Sequence, residues 1–224
     1  MDPTQEKYLQ DEECILVDEF DIVMGSASKE QCHLIQNDGT IKLHRAFSVF
    51  LFNSKEELLF QKRSSQKVTY PNKYSNTCCS HPLANIEGED EEFNALGIKR
   101  AVIRKLHHEL GIQPHEISLD DIIYVTRIHY KDARDGKYGE HEIDYIIIIK
   151  KDVQLSLNLN EISEVRYVAR DEIDEFLRET DGELTPWVEM LIRNGKLKYW
   201  WDNLDRIGDI VDDDKIIRFN IKSN

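Results

Sequence analysis

The stretch Asn76-Thr77-Cys78-Cys79-Ser80-His81-Pro82-Leu83 sets two thiols, a hydroxyl and an imidazole side by side. Proline is excluded from a helix interior and biases the residue before it, His81, toward extended backbone. The stretch therefore reads as a strand end or loop that presents side chains, a setting in which chemistry is common. Cys79 lies between Cys78 and the Ser80-His81 pair. A neighbouring imidazolium or metal ion would lower its pKa and make it a usable base or nucleophile. The plainer reading of two adjacent cysteines is that they are small buried apolar groups, and one of the pair is expected to be that.

Other residues of the same chemical kind lie far apart in the chain. His33 and His44 flank a polar loop, and Glu140 and Glu142 stand two apart beside a strand. Alternate residues of an extended segment face the same side, so both carboxylates can reach one ion. With His81 they make three imidazoles and two carboxylates, a set suited to Mn²⁺, Zn²⁺ or Mg²⁺ rather than to an all-thiolate site. Any single histidine of the eight in the chain reads as a surface or capping residue; only the joint pattern points to a metal. Lys29, Arg63 and Lys67 surround the same segments. Together they could grip a phosphate, whereas separately they are ordinary solvated charges.

The elements that must position these groups follow from periodicity and turn signals. Short strands are expected at 14–18 and 22–25, and a buried strand at 45–53 with its hairpin partner at 58–63. Residues 26–43 and 64–76 read as loops. Ala95, Ile98, Val102, Leu106 and Leu110 have helical spacing, and Gly111 suits the C-cap. Strands at 122–130, 143–150 and 165–168 follow, then helices at 171–179 and from Thr185-Pro186-Trp187 to about Asp202. Residues 1–12 read as a flexible, solvated tail or a short helix, and 13–224 as a single domain. The expected class is α/β (α+β), a mixed central sheet flanked by helices.

The bulk composition narrows the function. The 224 residues carry a net charge of −14, and 32% of them are charged. That argues against nucleic-acid and anionic-membrane partners, which call for basic surfaces. An anionic small molecule is still compatible, because local cations or a metal can reverse the field within a cleft. The longest apolar run, Ile146-Ile147-Ile148-Ile149, is far too short to span a bilayer. The polar start and the free-thiol pattern of the four cysteines suggest a reducing, cytoplasmic setting, with a peroxisomal one left open. The C-terminal Lys222-Ser223-Asn224 matches no address signal, and nothing demands more than a monomer.

The segment Arg104-Lys105-Leu106-His107-His108-Glu109-Leu110-Gly111 resembles the Arg-Glu-x-x-Glu-Glu-x-Gly signature of Nudix diphosphate hydrolases, with Lys105 and His108 in place of two Glu residues. Hydrolysis there depends on a carboxylate cluster holding several metal ions, so the fold is expected and the hydrolysis is not. A more specific resemblance covers about residues 12 to 220. It rests on Cys32-His33-Leu34, Leu43-His44-Arg45-Ala46-Phe47, the Asn76–Leu83 stretch, Glu109-Leu110-Gly111-Ile112, Thr126-Arg127-Ile128-His129-Tyr130, Gly139-Glu140-His141-Glu142, Thr185-Pro186-Trp187 and Trp200-Trp201. In this order these segments resemble the type I isopentenyl-diphosphate isomerases of the eukaryotic kind.

That resemblance implies a Nudix-like fold and a 1,3 proton shift between isopentenyl and dimethylallyl diphosphate. It implies Cys79 and Glu142 as acid and base, with Tyr130 beside the carboxylate and Trp187 facing the carbocation. It implies that Lys29, Arg63, Lys67 and Ser80 hold the diphosphate. One divalent ion would sit among His33, His44, His81, Glu140 and Glu142. A second, Mg²⁺, would bridge the diphosphate with Glu109 and the Cys79 carbonyl. Two positions depart from the family pattern, Tyr138 where Trp is usual and Asn72 where Gly follows Pro71. The alternatives are a Nudix-type diphosphate hydrolase and a non-catalytic module that binds a diphosphate.

Overall fold

The computed structural model describes residues 2–133, 136–180, 183–212 and 214–219. Its strands are β1 (Glu13–Val17), β2 (Val23–Ser28), β3 (His44–Phe52), β4 (Leu58–Arg63), β5 (Tyr74–Ser75), β6 (Cys78–Ser80), β7 (Ile123–Asp132), β8 (Glu140–Lys150), β9 (Ile162–Val168) and β10 (Ile216–Arg218). Its α-helices are α1 (Pro3–Asp11), α2 (Lys29–His33), α3 (Leu96–Leu110), α4 (Ile173–Glu179), α5 (Pro186–Arg193) and α6 (Lys196–Trp201). The Lys222-Ser223-Asn224 terminus lies outside the described residues.

The organising strand is β3. All nine of its residues are buried, as expected for a strand covered on both faces. It pairs in parallel with β8 along its whole length and antiparallel with β6, while β8 pairs antiparallel with β7. The mixed sheet runs β10-β7-β8-β3-β1-β2. Alternation along β3 sends Phe50 and Phe52 to a core shared with Trp187, Leu191 and Trp200 of α5 and α6. It sends Phe47, Val49 and Leu51 to a second core under Ile98, Val102 and Leu106 of α3. The result is a sheet between two helical layers.

Several expectations are corrected. Residues 58–63 form a strand, but β4 touches β3 only at Phe52↔Leu58 and instead pairs with β9 over six positions. The flanks of β3 are already occupied by β8 and β6, so β4 must diverge. The segment after Gly25 is not loop throughout; β2 extends to Ser28, whose side chain then caps α2, so Lys29 and His33 lie on a helix. The expected helix to Asp202 is broken at Gly195, whose φ of 68° ends α5 and starts α6. Gly111 has φ 70° and caps α3 as its sequence suggested. Asn72 has φ 61°, a left-handed conformation that Asn tolerates better than most residues, which explains how it can replace Gly.

Of the two readings of the N-terminal segment, the structure has the short helix, α1. Asp2 accepts from the Thr4 and Gln5 amides, and Pro3 occupies the first turn. Leu9 and Gln5 are buried, and Gln5 donates to Glu161 at 2.9 Å. The chain leaving the helix is tied down by Glu12, 2.6 Å from Lys29 Nζ. Burial would raise the Glu12 carboxyl, but Lys29 overcomes it and holds the carboxyl at about 2, below its ordinary 4.5. A depressed carboxyl stabilises the fold above its ordinary value, and that contribution disappears as pH falls from about 4.5 to about 2. The melting-temperature gap between wild type and Glu12→Gln is therefore expected to be largest above pH 5 and to close near pH 2. A gap independent of pH would show that the ion pair is not what ties this segment down.

Candidate active site

The register of three strands builds the first row of the site. Tyr130 of β7 lies opposite Glu142 of β8, and Glu142 lies opposite His44 of β3. Cross-strand neighbours project on the same face, so residues far apart in sequence become adjacent. Tyr130 Oη donates to Glu142 Oε2 at 2.5 Å. Glu142 Oε1 is 3.4 Å from His44 Nε2 and 3.0 Å from His81 Nε2.

His33 joins the row from α2. The ligand atoms of His33, His44, His81 and Glu142 all lie within 4.8 Å of one another. Glu140 Oε2 adds a fifth candidate ligand, 3.1 Å from His33 Nε2. Gly139 permits this approach: a Cβ there would come within 2.5 Å of the Asp132 carbonyl, and its amide donates to the His33 carbonyl at 2.8 Å.

The donor chemistry fits a divalent cation. His33 Nδ1 is 2.7 Å from the Lys29 carbonyl and His44 Nδ1 is 2.9 Å from the Lys42 carbonyl. A carbonyl can only accept, so each Nδ1 carries a proton and each ring turns its Nε2 inward as the atom available to a metal. His44 Nε2 and His81 Nε2 face each other at 3.3 Å, close enough to share one proton or to flank one cation. The electrostatics agree. Burial would lower His44, yet the hydrogen bond to Glu142 pushes it up to about 9. Burial would raise Glu142, but His44 and His81 hold it well below the usual range. His81 Nδ1 is buried with no hydrogen-bond partner among the described residues, and Glu140 Oε2 is buried against His33.

Beside this cluster lies Cys79. Strand β6 pairs Cys79 with Ser48 and Cys78 with Val49, so the two cysteines project to opposite faces of the sheet. Cys78 enters the core under α3, whereas Cys79 packs toward Trp187. Cys79 Sγ lies 2.8 Å from Asn76 Oδ1, 3.1 Å from Trp187 Nε1 and 3.5 Å from Ser48 Oγ. Burial, with Asp144 nearby, pushes the Cys79 thiol up to about 12, so it rests protonated. Burial and then Glu142 push the Asp144 carboxyl well up as well; it accepts from Ser48 Oγ at 2.8 Å.

One cavity collects these groups. Its wall includes Cys79, Ser80, His33, His81, Glu140, Glu142, Tyr130 and Trp187, together with Lys29, Arg63 and Lys67. Arg63 is fixed by the Thr69 carbonyl at 2.8 Å and lies with its Cζ 5.8 Å from the Trp187 ring centroid. Lys67 pairs with Glu161 and Lys29 with Glu12. Two expected site residues do not reach the wall. His44 is fully buried behind it, and Glu109 is ion-paired to Lys105 at 3.0 Å and accepts from Cys78 Sγ at 3.6 Å. Tyr138 also stands outside this cavity, with its hydroxyl donating to Glu30.

Sequence reasoning missed three contributions. Lys105, noted only as the wrong residue for a hydrolase, brings a fourth cation to the cavity. Gln5, Tyr8 and Leu9 of α1 close one side of it. Asn76 touches both Cys79 and Trp187. The Asp2-Pro3 helix start was readable as a capping signal; the positions of Lys105 and Asn76 depend on tertiary packing.

The NUDIX domain family matches residues 42–188, and with the fold this defines a Nudix-domain protein whose buried His/Glu group could hold a metal ion. The isopentenyl-diphosphate Delta-isomerase 1 of Mus musculus is 48% identical over 210 residues, covering 92% of this chain and 92% of that protein. The Bos taurus isopentenyl-diphosphate Delta-isomerase 1 is 48% identical, covering 94% of this chain and 93% of its own length. The isopentenyl-diphosphate Delta-isomerase I of Clarkia breweri is 48% identical, covering 92% and 73%. A solved structure from Deinococcus radiodurans, DR0079, shares the fold with a TM-score of 0.52 at 19% identity, covering 81% of this chain and 98% of that one. The chain belongs to the isopentenyl-diphosphate Delta-isomerase family. No helix among the described residues is long and apolar enough to cross a membrane.

Proposed function

We propose that the cavity interconverts isopentenyl and dimethylallyl diphosphate by a 1,3 proton shift. One observation carries the reading: a protonated thiol, a carboxylate–phenol pair, an indole and several cations line a single cavity, while the remaining Nudix-helix carboxylate, Glu109, is tied to Lys105. A diphosphate hydrolase needs carboxylates on that helix to gather metal ions, and here Lys105 and His108 replace them.

Cys79 and Glu142 are the two proton carriers, one delivering a proton to C4 and the other removing one from C2. Tyr130 orients the carboxylate through its 2.5 Å hydrogen bond. The Trp187 ring is the natural partner of the tertiary carbocation, since a desolvated cation over an indole gains about 2 kcal/mol. Lys29, Arg63, Lys67 and Ser80 would receive the diphosphate, with Lys105 added to the set. His33, His44, His81, Glu140 and Glu142 would hold the resident divalent ion, for which we propose Mg²⁺, with Mn²⁺ and Zn²⁺ as the alternatives their nitrogen-rich donor set permits. Bound there, that ion would supply a positive charge beside Glu142. A second Mg²⁺ would accompany the hard diphosphate oxygens, and Glu109 joins it only by releasing Lys105.

Proton and phosphorus NMR of the protein with isopentenyl diphosphate and Mg²⁺ in D₂O tests the reading. The expected product is deuterated dimethylallyl diphosphate with its diphosphate intact. Release of phosphate, or no conversion with any of the three metals, would overturn it.

A further inference from the structure

We infer that Asn76 is a positioning residue that sets Cys79 and Trp187 at a fixed spacing for proton transfer. The inference rests on the isomerase reading above and concerns a residue to which that reading gives no role. The Asn76 side chain is fully buried between β5 and β6. Its Nδ2 donates to the Val49 carbonyl at 2.9 Å and to the Cys78 carbonyl at 3.1 Å. Both partners are backbone acceptors, so the orientation of the amide is fixed by the network. Its Oδ1 therefore faces the cavity side, where Cys79 Sγ donates at 2.8 Å and Trp187 Nε1 at 3.0 Å.

A single oxygen thus joins the sulfur to the indole, and Nε1 and Sγ themselves lie 3.1 Å apart. Ser75 Oγ donates to the same oxygen at 3.1 Å and lies 3.0 Å from Thr185 Oγ1, at the start of the helix that carries Trp187. The amide is the one kind of side-chain group that can donate to two backbone carbonyls on one side and accept from Cys79, Trp187 and Ser75 on the other. An Asp would set a second oxygen against the Val49 and Cys78 carbonyls. An Ala would take the amide donor from those carbonyls and leave the indole N–H only the Cys79 sulfur in a buried site.

The chemical consequence is geometric. The proton carrier and the cation-facing ring address neighbouring carbons of one small allylic unit, so their mutual spacing matters as much as their presence. Displacing a reacting group by about 1 Å costs roughly 10²-fold in rate. Asn76 lies outside the cation set, so diphosphate binding should not depend on it.

The test uses the full chain loaded with Mg²⁺. Asn76→Ala is expected to lower kcat roughly 10²-fold while KM stays within about threefold. In ¹⁵N-correlated NMR, the Trp187 indole resonance, assigned by its loss in Trp187→Phe, is expected to shift in Asn76→Ala, with the Trp200 and Trp201 resonances unmoved. Turnover within threefold of wild type, or an unmoved Trp187 resonance, would overturn the inference. Should Asn76→Ala not fold, the wild-type protein decides: a buried, bonded Trp187 indole proton exchanges slowly with D₂O, and exchange as fast as that of a free indole would reject the bond. Wild type inactive on isopentenyl diphosphate would reject the isomerase reading itself. Wild type active with Asn76→Ala equally active would reject only the role of Asn76.

Discussion

Cys79→Ala is expected to lower isomerase turnover by 10³-fold or more, at the upper end of what a positioned proton carrier contributes. The side chain sits beside Ser48, Asn76 and Trp187 on the cavity side of β6. It is small and half-buried rather than a core anchor, so circular dichroism and melting temperature should hardly change. Cys78→Ala is the matched control. Cys78 faces away, into the core under α3, where it donates to Glu109 at 3.6 Å. Burial, with Glu109 close by, raises its thiol well above the ordinary range, which leaves it inert. A modest change in stability and a near-normal rate are expected for that variant. Equal losses in the two would contradict the assignment of opposite faces, and a near-normal rate in Cys79→Ala would remove the thiol from the reaction.

Glu142→Gln is expected to have the larger effect, roughly 10⁴-fold, because one substitution removes a proton carrier and a candidate metal ligand. The amide keeps the volume and can still accept from Tyr130, so the change is confined to charge. His44 and His81 lose the carboxylate that both now face at 3.4 and 3.0 Å. His44 should then fall back from about 9 toward its ordinary value, since Glu142 is what offsets its burial. The variant should bind less divalent metal per chain, measured by elemental analysis after desalting, and its activity should not return on adding excess Mg²⁺. Full metal content with lost turnover would restrict Glu142 to proton transfer. Full metal content with normal turnover would remove it from the site.

The sequence by itself determined the chemical vocabulary and much of the secondary structure. The adjacent cysteines, the Glu140–Glu142 spacing and the order of the motifs were readable because residue type and period-2 alternation are local properties. The buried strand at β3 and the α3 periodicity with its Gly111 cap were readable for the same reason. Tertiary structure decided everything that depends on register. Only the pairing of β7, β8 and β3 sets Tyr130, Glu142 and His44 in one row, and only the pairing of β6 with β3 turns Cys79 to the cavity and Cys78 away. The divergence of β4 to β9 and the docking of α1 rest on contacts between residues about 100 to 156 apart in the chain, such as Phe60 with Arg166 and Gln5 with Glu161. The fate of Lys105 and Glu109 is of the same kind. In sequence they are a broken hydrolase motif; in the folded protein Lys105 holds Glu109 behind the cavity wall, because two opposite charges one helical turn apart cannot be buried unpaired.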